Sequence, residues 1–280
     1  MKTKYTVPAL GLVSLLTAAF LQADVVFSFG LSDSYVTSNQ NLTGGNDVTA
    51  ISGSVISPTS NYTGPAFIGG RDLTGGTAGT WAINESTGDA NSNGNHDSIS
   101  ASVNSANGEA QYLFFAFEQD QFESGFSSGN IGLDASSTFT ITARRTGGQD
   151  SGVETAGLRW VIRENGTYYA SELNNGASFS GGIDQPQNTI TQTNPTALSW
   201  YQYDPESNVA LSSEVAASPG FSQVDAFGVY YVNTRATGSN FLNLNITQLE
   251  LNATAIPEPG TLSLLLLSGI ALALARRRRH

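Results

Sequence analysis

An all-β fold, a two-sheet β-sandwich with a jelly-roll-like body, is the class this sequence predicts. Three observations point there. Between Asp24 and Ala255 the chain is rich in Gly, Ser, Thr and Asn. Its apolar residues come in short stretches that alternate with polar ones, and turn-forming residues recur about every ten positions. No stretch of this region sustains the 3.6-residue period of a long amphipathic helix.

The two ends are of a different kind. Residues 1–23 carry Lys2 and Lys4, then an apolar run through Leu10, Leu12, Val13, Leu15, Leu16 and Phe20, then Leu21-Gln22-Ala23. A basic start, a short apolar stretch and a small residue before a polar one read as a secretory signal helix, with the mature chain starting at Asp24. Residues 24–255 form one domain, since no repeat and no shift in composition divides them, and sandwiches of this length commonly fold as one unit. Residues 256–280 are the tail.

Within the domain, Val25 to Phe29 is the first strand. Ser98 to Val103 and Tyr112 to Phe117 flank Asn107-Gly108, a pair suited to a tight turn, and predict a hairpin. From Thr138 to Arg144, Phe139, Ile141 and Ala143 face one way and the threonines the other. Leu158, Trp160 and Ile162 alternate with Arg159, Val161 and Arg163. Asn165-Gly166 then turns the chain into Thr167 to Glu172, a second hairpin. Leu198 to Tyr203, Ala226 to Val232 and Phe241 to Leu251 complete the set. In the last, Leu242, Leu244 and Ile246 share one parity while Leu249 and Leu251 have the other, which predicts a bulge near Thr247-Gln248.

Charge and composition remove several functions. Setting aside Lys2, Lys4 and Arg276 to Arg279 leaves six arginines and no lysine against 23 acidic residues, a formal charge of −17 from Asp24 to Glu258. Such a surface repels phosphate backbones and excludes nucleic acid as a partner. It suits cations and neutral polymers. There is no cysteine, hence no disulfide, thiol nucleophile or thiolate metal site. His96 is the one histidine of the domain, so zinc sites built on several histidines are excluded, and no nucleophile-elbow pattern supports a serine triad.

Three patterns remain as candidates. Asp89, Asn91, Asn93, Asn95 and Asp97 place an oxygen at every second position with Gly94 sixth, as in the first half of a calcium loop. The twelfth position is Ser100 rather than a bidentate Glu, and Asn-rich loops are good turns in their own right, so calcium and a solvated loop are both open. Trp200, Tyr201 and Tyr203 are a candidate carbohydrate platform, because aromatic faces stack on the C–H faces of sugars while neighbouring amides and carboxylates take the hydroxyls. Packing in the core or at an edge is the competing reading for them. Glu118, Asp120 and Glu123 gather after a strand, and two convergent carboxylates are all that a glycosidase needs, so a polysaccharide-degrading enzyme stays open beside a binding role. No residue is assigned as catalytic.

The tail has three parts. Pro257-Glu258-Pro259-Gly260 is a stiff non-helical spacer. Thr261 to Ala275 is an apolar segment, about 23 Å long as a helix and a candidate membrane anchor. Arg276, Arg277, Arg278 and Arg279 form a basic cluster that holds this end in the cytoplasm. In its motifs, their order and their spacing the tail resembles the PEP-CTERM sorting signal of Gram-negative bacteria. The resemblance covers about 24 residues.

That resemblance implies an exported protein, anchored until it is processed. The implied partner is exosortase, a membrane protease-transpeptidase. Pro257, Glu258 and Pro259 would be the recognised motif and the four arginines the stop-transfer cluster. It also implies a cell-surface or biofilm-matrix location, with exopolysaccharide as the expected ligand of the sandwich. A structural matrix component without a ligand is the other outcome. The segment Gly157 to Glu164, with Tyr168-Tyr169 and Trp200 to Pro205, is similar to the bodies of other such proteins, which brings no activity with it.

Overall fold

In a computed structural model of the chain, the residues described are 23–29, 40–41, 67–73, 80–86, 96–103, 110–123, 126–127, 130–146, 155–173, 188–208, 210–211, 213–234 and 242–256. They form strands β1 (Asp24–Phe29), β2 (Gln40–Asn41), β3 (Phe67–Leu73), β4 (Thr80–Ser86), β5 (His96–Val103), β6 (Ala110–Glu118), β7 (Asn130–Gly132) and β8 (Thr138–Thr146). These are followed by β9 (Thr155–Glu164), β10 (Thr167–Ser171), β11 (Asn188–Thr193), β12 (Trp200–Tyr203), β13 (Val215–Ala217), β14 (Val224–Thr234) and β15 (Leu242–Ile256). Two single-turn 3-10 helices, Gln119–Gln121 and Pro195–Ala197, interrupt them. The signal helix and the anchor helix fall outside the described residues. Among those residues, no helix is long and apolar enough to cross a membrane.

The strands make two antiparallel sheets. The eight-stranded sheet runs β11-β8-β15-β5-β4-β2, with β1 and β7 also paired to β15. The seven-stranded sheet runs β13-β12-β10-β9-β14-β6-β3. β15 is long enough to hold β5 at Leu242 to Ile246 and β1 at Leu249 to Ala253, while β8 lies along its other side. The register between β15 and β8 slips between Ile246 and Gln248, so Ile246, Leu249 and Leu251 all reach the interior. This is the bulge that the change of parity predicts.

The main core lies between the sheets. Phe27, Phe29, Phe139, Ile141, Leu249 and Leu251 meet Phe115, Phe117, Leu158, Trp160, Ile162, Phe227 and Val229 there. Phe139 touches Trp160 at 5.3 Å and Phe227 at 4.9 Å between ring centroids, and Trp160 stacks on Phe227 at 14°. Truncating a ring as well packed as that of Trp160 typically costs about 3–5 kcal/mol. On the outside of the eight-stranded sheet, Thr142 lies 2.9 Å from Thr189 and 3.0 Å from Gln248 through its hydroxyl. The alternation read from Phe139 to Thr142 therefore separates core from surface, though Thr142 itself is covered by these neighbours.

The Asn165-Gly166 turn forms as its residues dictate. Asn165 has φ 50° and Gly166 φ 76°, both left-handed, and β9 pairs with β10 across them. The other hairpin does not form. β5 pairs with β4 and β15 in one sheet, whereas β6 pairs with β3 and β14 in the other. Asn107-Gly108, itself outside the described residues, thus stands in a connection between sheets. Turn residues favour reversal of the chain, but the apolar parity on both faces of β6 selects the sheet in which both faces are covered.

Candidate functional site

The two faces of the seven-stranded sheet differ from a simple inside and outside. One face closes the main core. The other carries Tyr112, Phe114 and Ala116 on β6, Gly228 and Tyr230 on β14, Arg159, Val161 and Arg163 on β9, Tyr168 and Ala170 on β10, and Tyr201 and Tyr203 on β12. Ala170, Val161, Gly228 and Ala116 fall in one cross-strand row, so the middle of this face is lined by small side chains.

Over that row the sheet curls. Phe114 and Tyr203 are four strand steps apart and four residues out of row, roughly 23 Å in a flat sheet at about 4.8 Å per step and about 3.3 Å per residue. Their rings nevertheless lie 5.4 Å apart and near perpendicular. Only a sheet concave toward this face brings them together. Tyr168 meets Phe114 at 5.5 Å, and Tyr203 meets Tyr230 at 5.5 Å, each edge to face. The rings fill the hollow: Phe114 is 0% and Tyr203 3% exposed. Burial pushes the Tyr203 hydroxyl well above the ordinary tyrosine range, so it stays protonated.

The connection from β12 to β13 crosses this hollow. Asp204 accepts hydrogen bonds from the Ser207 hydroxyl at 2.6 Å and backbone N–H at 3.3 Å, which shapes its first turn. Further along, the Leu211 N–H donates to the Tyr230 hydroxyl at 3.2 Å, and its side chain packs against the ring cluster. Glu214 then pairs with Arg159.

Two arginines of β9 lie under aromatic rings on this face, and they differ. The Arg163 Nε donates to Asp225 at 2.7 Å and its Nη1 to Glu118 at 2.6 Å, while its guanidinium sits 5.5 Å from the Tyr168 ring centre. Burial alone would lower its pKa, but the bonds to Asp225 and Glu118 raise it. Arg159 is 7% exposed, donates from Nη1 to the Ser171 carbonyl at 2.8 Å and from Nη2 to Glu214, and lies 5.6 Å from the Tyr201 ring centre. Its buried Nε meets no hydrogen-bond acceptor among the described residues.

Trp200, Tyr201 and Tyr203 are not brought onto one face. Trp200 points into the main core, where its indole N–H donates to the Pro195 carbonyl at 3.1 Å. Tyr203 is buried in the hollow, and only Tyr201 keeps part of its ring in solvent. The strand's alternation causes this, because adjacent residues of β12 must face opposite ways. Of the acidic cluster, Glu118 is held by Arg163, Asp120 is exposed on the first 3-10 helix, and Glu123 is exposed beyond it.

Of the candidate calcium loop, Asp89, Asn91, Asn93 and Asn95 lie outside the described residues. His96 and Asp97 open β5 instead of closing a loop, with Asp97 opposite Glu85. Among the described residues, no group of three or more His, Cys, Asp or Glu side chains is placed to hold a metal ion. Pro257, Glu258, Pro259 and Arg276 to Arg279 lie outside the described residues too.

The residues that the sequence reading missed as a group are Arg159, Glu214, Tyr112, Phe114 and Tyr230. A signal for the three aromatic residues exists. Tyr112 to Phe117 and Val229 to Val232 are apolar at both parities, which marks strands covered on both faces.

No protein-family model matches the chain, and no curated protein matches it. Among solved structures, the chain is similar to a family 11 carbohydrate-binding module from Clostridium thermocellum, in complex with a β-1,3-1,4-mixed-linked tetrasaccharide. The identity is 8%, the TM-score 0.33, and the match covers 84% of this chain and 100% of that one. It is also similar to a protein of unknown function from Shewanella oneidensis MR-1, at 10% identity and a TM-score of 0.30, covering 91% of this chain and 97% of the other. At these scores neither likeness brings a ligand or an activity to this chain.

Proposed function

We propose that this chain is an exported, non-enzymatic surface or matrix protein whose β-sandwich binds a neutral extracellular polysaccharide. Export and sorting rest on the sequence: the signal-like residues 1–23 and the Pro-Glu-Pro, apolar and arginine-rich parts of the tail. Exosortase is the processing partner in this reading. The membrane is then only a temporary attachment.

The observation that carries the binding role is the curled, tyrosine-bearing face of the seven-stranded sheet. Tyr112 and Tyr201 keep part of their rings in solvent there, around a packed centre of Tyr168, Tyr203 and Tyr230, with two arginines and three carboxylates beside them. Rings beside fixed donors and acceptors are the equipment for a polyhydroxylated, uncharged ligand, whose ring faces are apolar and whose rims are polar. The acidic surface disfavours polyanions and leaves neutral glycans free to approach.

The test is a glycan panel applied to the full chain, held in a detergent without a sugar headgroup. The reading expects binding to one or more neutral polysaccharides. Absence of binding across the panel, with self-association instead, would leave a structural matrix component. Release of shortened chains from a bound polysaccharide would make the protein an enzyme.

A further inference from the structure

β9 contains its own control experiment. Arg159 and Arg163 are four residues apart on the same face of one strand, each beneath a tyrosine ring and each paired with a carboxylate. Arg163 is engaged at all three nitrogens: Asp225 takes its Nε and Glu118 its Nη1, with the Asp225 carbonyl at 3.5 Å from Nη2 and the Tyr168 hydroxyl at 3.4 Å from Nη1. Its two acids come from β14 and the end of β6, strands of the same sheet, with side chains 30% and 40% exposed. That is a structural ion pair.

Arg159 is built differently. Its acid, Glu214, comes from the connection that crosses the hollow and keeps 48% of its side chain exposed. Its Nε–H is buried without an acceptor among the described residues, although a charged donor stripped of water is costly to leave unpaired. Its tyrosine, Tyr201, is half-buried rather than sealed as Tyr168 is. Beside the buried guanidinium there is thus a half-exposed ring and an accessible carboxylate.

From this contrast we infer that Arg159, Tyr201 and Glu214 form a subsite for one sugar unit of a neutral glycan. This deepens the polysaccharide-binding reading and rests on it. The chemistry of each group assigns its task. The ring of Tyr201 receives the C–H face of the sugar. Arg159 pairs with Glu214 and lies against the Tyr201 ring, holding both in place. The Glu214 carboxylate, already held by Nη2, accepts a hydrogen bond from a sugar hydroxyl. A uronate fits worse, because Glu214 would face its carboxylate at close range. Arg159 is held by the Ser171 carbonyl and β9, so the carboxylate it pairs with is in place before the ligand arrives, and little ordering is needed on binding.

The experiment measures affinity of the full chain, in a detergent without a sugar headgroup, for soluble glucan, mannan, galactan and xylan, with alginate as the uronate polymer. Tyr201→Ala and Glu214→Gln are compared with the unaltered chain and with Thr191→Ala on the opposite sheet. The expected result is a loss of about tenfold or more for the first two variants and none for the third, as for residues at the centre of a binding site. Glu214 is half exposed and Gln keeps its size, so this variant reads the subsite even if Tyr201→Ala folds poorly. Neutral-glycan binding that Tyr201→Ala and Glu214→Gln leave within twofold overturns the subsite while the binding role stands. Binding to alginate alone overturns the neutral class. No binding by the unaltered chain overturns the subsite and the proposed function together.

Discussion

Glu164 offers the sharpest test of how this sandwich is held together. It ends β9 and is 5% exposed, yet its carboxylate is fully employed. One oxygen accepts the Gly220 N–H at 2.6 Å; the other accepts the Ser222 N–H at 2.8 Å and the Gln223 N–H at 3.4 Å. The loop so gripped carries Phe221 with φ 56°, a left-handed conformation that a ring-bearing residue adopts only when its surroundings hold it there. Phe221 in turn contacts Trp200 at 5.9 Å, and its carbonyl accepts the Leu133 N–H at 2.9 Å. A single side chain therefore ties β9 to the loop before β14 and to the segment after β7.

The size of the effect follows from these bonds. Hydrogen bonds to a charged group contribute about 1.5–3 kcal/mol each, and two of the three here have good length. Gly220 and Ser222 are exposed, so water replaces part of what Glu164→Ala removes. The expected loss is about 2–3 kcal/mol, or roughly 5–10 °C in Tm for a domain of this size. Thermal unfolding of the full chain, followed by the fluorescence of its buried tryptophans, reads it. Glu164→Gln keeps an acceptor and is expected to lose less. A Glu164→Ala protein melting within about 1 °C of the original would refute the role given to this carboxylate.

Three further outcomes are expected. Burial would raise the Asp134 carboxyl, but hydrogen bonds from Ser136, Thr254 and Ser137 hold it below its ordinary value of 3.8. Its folded pKa is thus the lower one, so its stabilisation is present above pH 4 or so and is lost as the pH falls through the folded value. Comparing acid unfolding of the original with Asp134→Asn checks this, since the variant should lack that part of the acid-side slope. A Cβ on Gly228 would fall on the Phe115 carbonyl oxygen of the adjacent strand, so Gly228→Ala should cost about 1–3 kcal/mol, measured by denaturant unfolding. Replacing Pro257, Glu258 and Pro259 with alanine should leave the unprocessed chain in the membrane fraction of its producer. An unchanged pattern on fractionation would remove the sorting reading.

Much of the sandwich was legible because it rests on local rules. Asn165-Gly166 supplies the two left-handed residues of its hairpin, and the change of parity at Thr247-Gln248 marks the bulge. Phe139, Ile141 and Ala143 announce a core face by alternation alone. What stayed hidden depends on distant partners. Asn107-Gly108 is as good a turn on paper as Asn165-Gly166, but β5 and β6 find better-matched neighbours in different sheets. The site was less legible still. Trp200 and Tyr203 look like a platform in a linear reading, and alternation plus the curl of the sheet bury both. Arg159 and Glu214 are 55 residues apart and meet only through the connection across the hollow.

Neutral-polysaccharide binding is the central claim, and calorimetric titration tests it most directly. The full chain, in a detergent without a sugar headgroup, would be titrated with the neutral polysaccharide that binds most strongly in the panel. The account predicts saturable heat that short oligosaccharides of the same polymer compete away and that Tyr201→Ala suppresses. Heat no greater than dilution for every neutral polymer would contradict it.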